Sequence, residues 1–280
     1  MGVGVVDYLA SISGVSNKNR KEVFIHPTAI ADKRKLKLGR SVYIGPYAVV
    51  GPDVCLEDDV YIEAHASVLG KTTIGPRTRI WSFATVGSMP QDLKYRGENA
   101  ELVIGADNAI REYVNISIGT TGGGSKTVIG SRNLVMVYCH IGHDCKIGDD
   151  TVFANAVSLA GHVIVQDRVV LGGLAAIHQF CRIGRIAMIA GGAMVTQDVP
   201  PCCMAHGDRA RISSLNLVGL KRSGLSEDAQ QNIKRMFRIV FHEHLTLDDA
   251  MKSIDQEIAS SEEKKMFMEF LKNSERGICR

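Results

Sequence analysis

Aliphatic side chains recur at every sixth position over most of this 280-residue chain. Stepping by six from Leu38 to Val86 meets only leucine, isoleucine or valine. A second run in a shifted frame extends from Ile129 to Val195, and Phe153 is its one exception. A six-residue period does not match the 3.6-residue stripe of an amphipathic α-helix, so these runs are not helices.

The position four residues after each aliphatic is also restricted, because it carries small or β-branched side chains such as Val42, Ala48, Ala66 and Ala84. Both positions avoid long polar groups, which a dry interior could not satisfy. The pattern predicts one short strand per hexad, with a tight turn between hexads and three hexads in each triangular coil. The predicted fold class is therefore mainly β, a parallel β-helix of hexapeptide repeats.

The repeat also divides the chain. We predict an N-terminal extension over residues 1–22, a β-helix over 23–207 and a small C-terminal α-helical domain over 208–280. Insertions near 87–102 and 119–128 interrupt the hexads and are expected to project as loops. In the C-terminal domain, helix N-termini are predicted at three hydroxyl-bearing residues, Ser226, Thr246 and Ser261.

Composition excludes several classes of protein. A formal charge of +3 is too small for the basic surface of a nucleic-acid-binding protein, so no nucleic acid partner is expected. No apolar run approaches the roughly 18 residues of a membrane span, so no integral membrane segment is expected. Seven cysteines without CxxC spacing favour neither a disulfide scaffold nor a zinc ribbon. The first 22 residues also lack the features of a secretory signal.

Histidines concentrate late in the β-helix. His143, His162 and His178 are spaced close to one coil apart, and His140 lies beside them, so we expect a cluster on one edge of the prism. Three interpretations remain open. The imidazoles are polar residues at turns, or they hold zinc with one open position, or one of them is a general base oriented by Asp144.

The first insertion carries a short polar cluster, Gln91, Asp92 and Lys94. An ammonium beside a carboxylate suits recognition of phosphate and sugar hydroxyls. Irregular loops on a rigid scaffold often carry binding groups, although a solvated loop without a function is the alternative.

Six segments in order resemble one family: QDLKYRGE (91–98), HIGHDC (140–145), LAGH (159–162), HQFCRIG (178–184), QDVPP (197–201) and NLVGLKR (216–222). Together they resemble the UDP-N-acetylglucosamine O-acyltransferases over about Phe24 to Arg280. The resemblance implies a left-handed coil, a homotrimer with sites between subunits, and transfer of a 3-hydroxyacyl chain from acyl carrier protein to the glucosamine 3-hydroxyl of UDP-N-acetylglucosamine. This reaction is the first step of lipid A biosynthesis, and it implies no cofactor beyond the carrier's phosphopantetheine.

The same resemblance implies residue roles. His143 is the general base, Asp144 orients it, and the backbone N–H of Gly161 stabilises the oxyanion. Gly191 matches the position that limits the acyl channel, and glycine there leaves room for a long chain. The other implied substrate contacts are Gln91, Asp92, Lys94, His140, His162, His178, Gln179, Arg209, Asn216 and Arg222. No metal ligand is implied.

Two positions depart from the family pattern, since Val218 and Ser223 stand where bacterial relatives commonly have Glu and Arg. The N-terminal extension favours a nuclear-encoded mitochondrial enzyme of a plant, with the bacterial cytoplasm as the alternative. Other functions also remain open: acetyl-CoA-dependent transfer to another acceptor, a zinc hydratase like the hexapeptide-repeat carbonic anhydrases, or a scaffold without activity. A basic grouping is expected to attract an acidic carrier protein: Lys221, Arg222, Lys234, Arg235 and Arg238.

Overall fold

The computed structural model describes Asp7 and residues 22–280. The predicted N-terminal extension therefore lies almost wholly outside the described residues. The remainder contains 28 strands, numbered here in chain order, which form three sheets. Sheet 1 consists of β1 (Phe24–Ile25), β4 (Tyr43–Ile44), β7 (Tyr61–Ile62), β10 (Arg79–Ile80), β13 (Ala109–Ile110), β16 (Leu134–Val135), β19 (Val152–Phe153), β22 (Val170–Leu171), β25 (Met188–Ile189), β27 (Cys203–His206) and β28 (Arg211–Leu215).

Sheets 2 and 3 complete the prism. Sheet 2 consists of β2 (Ile30–Ala31), β5 (Val49–Val50), β8 (Ser67–Val68), β11 (Thr85–Ser88), β14 (Asn115–Ser117), β17 (His140–Ile141), β20 (Ser158–Leu159), β23 (Ala176–Ile177) and β26 (Met194–Val195). Sheet 3 consists of β3 (Lys37–Leu38), β6 (Cys55–Leu56), β9 (Lys71–Ile74), β12 (Glu101–Ile104), β15 (Lys126–Ile129), β18 (Lys146–Ile147), β21 (Ile164–Val165) and β24 (Arg182–Ile183).

Successive strands pass from sheet 1 to sheet 2 to sheet 3, and each pairs in parallel with the strand one coil away. In sheet 1, for example, Tyr61 pairs with Tyr43 on one side and with Arg79 on the other. Only β27 and β28 pair antiparallel within the named strands of the described chain. The predicted parallel β-helix is thus confirmed. We call its three edges the 1–2, 2–3 and 3–1 edges after the sheets that meet there.

The repeated aliphatics form the core. Ile44, Leu56 and Ile62 have no exposed surface, and neither does Phe153, the exception to the aliphatic rule. The residues four positions later are equally buried. They are small because a larger side chain would not fit at the corner. Leu38, at the open end of the stack, is only partly buried.

Both insertions leave the prism at the 2–3 edge. The first connects β11 to β12, and the second connects β14 to β15 through a short 3-10 helix, Thr121–Gly123. They lie one coil apart, since β11 pairs with β14 and β12 pairs with β15. The irregular backbone is therefore concentrated on one edge of an otherwise regular prism.

The chain leaves the β-helix through the β27–β28 hairpin, which crosses the predicted domain boundary at residue 208. Four helices follow: α1 (Leu217–Arg222), α2 (Glu227–His242), α3 (Leu247–Glu257) and α4 (Glu262–Lys272). The three predicted caps are confirmed, because Ser226, Thr246 and Ser261 each accept a hydrogen bond from a backbone N–H in the first turn of α2, α3 and α4. None of the helices in the described chain is long and apolar enough to cross a bilayer.

The last residues of the chain return to the end of the prism, where they form hydrogen bonds with Asp198. Its backbone pairs with Gly277 and Cys279, and its buried carboxylate accepts hydrogen bonds from the amide of Arg182 and the hydroxyl of Ser274, both at 2.8 Å. Burial raises the pKa of Asp198 above the ordinary carboxyl value. The hydrogen bonds from Ser274 and Arg182 oppose this increase.

A raised pKa in the folded state means that ionising Asp198 costs stability as the pH rises through that pKa. We therefore expect Asp198→Asn to raise the Tm relative to wild type near pH 7 and to change it less near pH 4. Thermal denaturation at both pH values measures this, with the exposed Asp53→Asn as control. An equal change in Tm at both pH values would contradict it.

Candidate active site

The 2–3 edge carries the histidine cluster. Asp144, His162 and Phe180 occupy the same corner position of successive coils. Their φ angles are left-handed, at 60°, 62° and 67° respectively. The backbone keeps them in a column, because the amide of His162 donates to the carbonyl of His143 and the amide of Phe180 donates to that of Gly161.

His143 and Asp144 form a buried pair at this edge. The imidazole Nδ1 lies 2.8 Å from Oδ2 of Asp144, whose side chain has no exposed surface. Thr120, in the second insertion, donates to both carboxylate oxygens, from its amide at 2.8 Å and from its hydroxyl at 2.6 Å. The carboxylate is therefore held by three donors, and its fixed position orients the His143 ring.

His162 packs against this pair. Its ring centroid lies 5.0 Å from that of His143 with the planes nearly perpendicular, and its other side stacks on Phe180 at 4.5 Å. Burial is the main cause of a lowered pKa of His162, and the charge of Asp144 opposes it. This imidazole is therefore held towards its neutral form.

His140 lies just before the pair and is partly buried on sheet 2. Its Nδ1 is 2.9 Å from the amide oxygen of Asn115, the residue paired with it one coil below. Burial lowers its pKa, and the neighbouring His143 lowers it further. The predicted gathering of His140, His143 and His162 on one edge is thus seen in the structure.

His178 was expected to complete the stack and does not. The residue eighteen positions after His162 is Phe180, so the stacked ring is Phe180, whereas His178 is exposed and bonds through Nδ1 to the carbonyl of Gln179 at 3.1 Å. A spacing of sixteen residues places a side chain two positions earlier in the coil. His178 and Gln179 therefore lie at the rim of the edge.

Gly161 lies directly over the His143 ring. A Cβ added to Gly161 would come 2.6 Å from Cε1 and 2.7 Å from Nε2 of His143. The amide of Gly161 donates no hydrogen bond to any other described residue. Gly161 thus approaches Nε2, the imidazole nitrogen that does not face Asp144, and its unpaired backbone N–H is a donor of the kind that stabilises an oxyanion.

The first insertion lies against the same edge. The charge of Asp92 acts on His162, and Asp92 itself accepts a hydrogen bond from the amide of Lys94 at 2.9 Å. Gln91 and Lys94 are exposed to solvent. The loop therefore brings the carboxylate of Asp92 within electrostatic reach of His162.

The remaining predicted contacts lie elsewhere on the chain. Asn216 is a buried cap of α1, where its side chain accepts from Gly219 and donates to the carbonyl of Ile186. It borders a cavity of about 630 Å³ between sheet 1 and α1. The cavity is lined by Arg168, Val170, Ile186, Met188, Met204, Asn216, Val218, Gly219, Arg222, Ser223 and Gly224. Gly191 and Arg209 are exposed near the 1–2 edge and in the β27–β28 turn.

Known proteins resemble this chain over nearly its whole length. Residues 198–279 match the family described as UDP N-acetylglucosamine O-acyltransferase, domain 2, and residues 126–161 match the bacterial transferase hexapeptide. The acyl-[acyl-carrier-protein]–UDP-N-acetylglucosamine O-acyltransferase of Myxococcus xanthus is 46% identical over 256 residues, which are 91% of this chain and 99% of that one.

The chain belongs to the UDP-N-acetylglucosamine O-acyltransferase family.

Solved structures of the family agree. The enzyme of Moraxella catarrhalis superposes with a TM-score of 0.88 at 38% identity, covering 91% of this chain and 99% of that one. The Arabidopsis enzyme has a TM-score of 0.80 at 35% identity, covering 92% and 100%. The left-handed β-helix implied by the resemblance is thereby confirmed. Relatives of this chain include the bacterial enzyme of Myxococcus xanthus, so the expected mitochondrial location is not supported.

His143 and Asp144, possible metal ligands on this edge, already take part in hydrogen bonds within the protein. Ligand atoms of His143, Asp144 and His162 lie within 4.8 Å of one another. However, both oxygens of Asp144 already accept hydrogen bonds from protein donors, and Nδ1 of His143 faces one of them. A zinc ion would have to displace those bonds, whereas an orienting carboxylate requires them.

Sequence reasoning missed three residues that build the site: Asn115, Thr120 and Phe180. Phe180 could have been found from the strict eighteen-residue spacing after Asp144 and His162. Asn115 and Thr120 precede the cluster by one coil plus an insertion, so their distance along the chain gives no regular signal.

Adding a methyl group at Gly161 tests the site without removing a polar group. We expect Gly161→Ala to displace the His143 ring and lower kcat by about tenfold or more, because a misplacement near 1 Å at a reacting group is costly. The control is Gly51→Ala, whose added Cβ has no neighbour closer than 3.6 Å. Steady-state kinetics on folded variants measures this, and wild-type kcat in Gly161→Ala would refute the assigned contact.

Proposed function

We propose that this protein transfers a 3-hydroxyacyl chain from acyl carrier protein to the glucosamine 3-hydroxyl of UDP-N-acetylglucosamine, the first step of lipid A biosynthesis. The observation that carries the proposal is the His143–Asp144 pair in contact with Gly161, whose amide is unpaired, in a chain of this family. A general base and an oxyanion donor at one point are the two groups that acyl transfer to a hydroxyl requires.

In this mechanism His143 acts as the general base. Its Nδ1–H donates to Asp144, so Nε2 carries the lone pair that accepts the proton of the 3-hydroxyl. The alkoxide attacks the thioester carbonyl, and the Gly161 N–H stabilises the resulting oxyanion. When the tetrahedral intermediate collapses, the C–S bond breaks and the phosphopantetheine thiolate takes the proton from His143.

The thioester supplies the activated acyl group, so the reaction requires no cofactor of the protein itself. Seven residues are proposed to contact the sugar and its phosphates. Four lie on the coils, namely His140, His162, His178 and Gln179, and three lie in the first insertion, namely Gln91, Asp92 and Lys94. Lys94 supplies positive charge, whereas Asp92 supplies an acceptor for sugar hydroxyls.

The nucleotide end is assigned to the cavity beside α1. Asn216 and Arg222 line it, and two guanidinium groups with no carboxylate among the lining residues favour an anionic ligand. Val218 also lines this cavity, so the carboxylate that bacterial relatives commonly place there is replaced by an apolar side chain. Arg209 and Gly191 are proposed to complete the site, with Gly191 leaving room for the acyl chain.

A homotrimer is proposed because the predicted contacts fall on separate faces of one chain. The histidine cluster lies on the 2–3 edge, whereas the cavity lies on sheet 1. A neighbouring subunit would bring the two regions together. Residues 151–200 hold only 5 Asp, Glu, Lys or Arg, compared with 9 in residues 38–85, which fits burial of that stretch between subunits.

The 1–2 edge supports the same assembly. Five rings stack there at successive corners with centroids 5.0 to 5.2 Å apart: Tyr47, His65, Phe83, Tyr113 and Tyr138. Tyr138 is 61% exposed in the single chain, and Leu174 farther along the edge is 68% exposed. Such a row of rings in contact with solvent is typical of a surface that another subunit covers.

The carrier protein is proposed to dock near the basic residues of α1 and α2, which include Lys221, Arg222, Lys234, Arg235 and Arg238. Acyl carrier proteins are acidic, so this charge would steer their approach. Transfer of an acetyl group from acetyl-CoA remains the second candidate, but no feature of the described site favours it.

The substrate assignment predicts acyl transfer from 3-hydroxyacyl carrier protein to UDP-N-acetylglucosamine and little transfer from acetyl-CoA. His143→Ala should lower kcat by about 10²–10⁴-fold, the usual contribution of a general base. Mass spectrometry of the products from a panel of acyl carriers measures this. Retention of more than about a tenth of the rate in His143→Ala would refute the assigned role.

The assembly predicts that charge on the 1–2 edge disrupts the trimer. We expect Tyr113→Asp combined with Tyr138→Asp to shift the protein from trimer to monomer, because aspartate tolerates the left-handed corner but cannot be buried unpaired. Lys146→Asp, at an exposed position of sheet 3, is the control. Sedimentation velocity measures the mass, and an intact trimer in the double variant would exclude this interface.

A further inference from the structure

Charged residues alternate along the 3–1 edge. Its corner positions carry Asp59, Arg77, Asp107, Arg132, Asp150 and Arg168 in successive coils, each with a φ between 57° and 61°. Because coils stack at about 4.8 Å, neighbouring corner side chains are close enough to pair. The edge therefore forms a ladder of alternating sign.

The arginines lower in this ladder are paired with carboxylates. Arg77 bonds to both oxygens of Asp107, at 2.7 and 2.6 Å. Arg132 bonds to Asp150 at 2.8 and 2.9 Å and to Asp149 at 3.0 Å. Exposed pairs of this kind contribute little to stability, but they neutralise the charge of each guanidinium.

Arg168, the last charged member of the ladder, has no such partner. The next corner residue is Ile186, and no carboxylate within residues 22–280 forms an ion pair with Arg168. Its Nη1 instead donates to the backbone carbonyl of Ser223 at 2.7 Å, at the C-terminus of α1. This contact directs the guanidinium into the cavity between sheet 1 and α1.

Arg222 lines the same cavity, and it too forms no ion pair within the described part of the chain. Apolar side chains, among them Val170, Met188 and Met204, also line the cavity. Two guanidinium groups without ion-pair partners repel each other across this cavity. An anion bound between them would lower the electrostatic energy.

We infer that Arg168 is a substrate-binding residue that, with Arg222, binds the diphosphate of the nucleotide sugar. This inference rests on the proposed function and deepens it. The Ser223 carbonyl accepts a hydrogen bond from only one of the five N–H donors of Arg168. The remaining N–H groups are available to phosphate oxygens. The apolar side chains of the lining then accommodate the base or ribose.

The role of Arg168 could instead be structural, through its bond to Ser223. Two variants separate these roles. Arg168→Lys keeps the positive charge, whereas Arg168→Gln keeps an amide donor for the Ser223 carbonyl and removes the charge. Arg77→Ala is the matched control, because it removes an arginine from the same edge at a coil far from the cavity.

The experiment measures Kd for UDP and for uridine by calorimetry, together with kcat and KM for UDP-N-acetylglucosamine. For Arg168→Gln we expect UDP affinity to fall about tenfold or more, the usual effect of losing a charge-assisted hydrogen bond. Uridine affinity and kcat should change little. Arg168→Lys should recover most of the UDP affinity, and Arg77→Ala should resemble wild type.

Equal loss of uridine and UDP affinity in Arg168→Gln would overturn the inference in favour of a structural role, and so would unchanged UDP affinity. These outcomes leave the proposed function intact as long as the wild-type protein acylates UDP-N-acetylglucosamine. If the wild-type protein neither acylates nor binds that sugar nucleotide, the proposed function fails and this inference fails with it.

Discussion

Each coil of this protein must return the chain to the same place after three short strands, because the strands pair in parallel with those of the next coil. That return is possible only if every inward side chain is compact and every corner adopts a tight turn. The buried aliphatic and the small residue four positions later meet the first condition, and left-handed corner residues meet the second. The histidines of the 2–3 edge and the side chains of the other two edges are placed by this constraint.

The constraint turns sequence spacing into spatial columns. Each coil contributes one corner residue to an edge of the prism, and the three edges carry different kinds of side chain. The 1–2 edge carries stacked rings, the 3–1 edge carries alternating charges, and the 2–3 edge carries the imidazoles and both insertions. A rigid column suits catalysis, since it holds a base, its carboxylate and a backbone amide on adjacent coils of one scaffold.

The insertions add what a regular coil cannot supply. A repeat of aliphatic and small residues has no place for several donors directed at one buried carboxylate. Thr120 supplies two such donors to Asp144 because the chain departs from the hexad frame one coil below it. The regular part of the fold therefore positions His143, and the irregular part fixes its orientation.

The β-helix, its buried positions, the helix caps and the gathering of histidines on a single edge follow from the order of the amino acids, because each depends on a short period or a local signal. Other contacts became visible only in the folded chain: Phe180 rather than His178 stacks on His162, Asn115 and Thr120 bond the cluster, and Arg168 lines the cavity beside α1. These contacts join residues separated by a coil plus an insertion, or by the turn into the helical domain. Their partners are set by packing in three dimensions, for which the hexad period carries no signal.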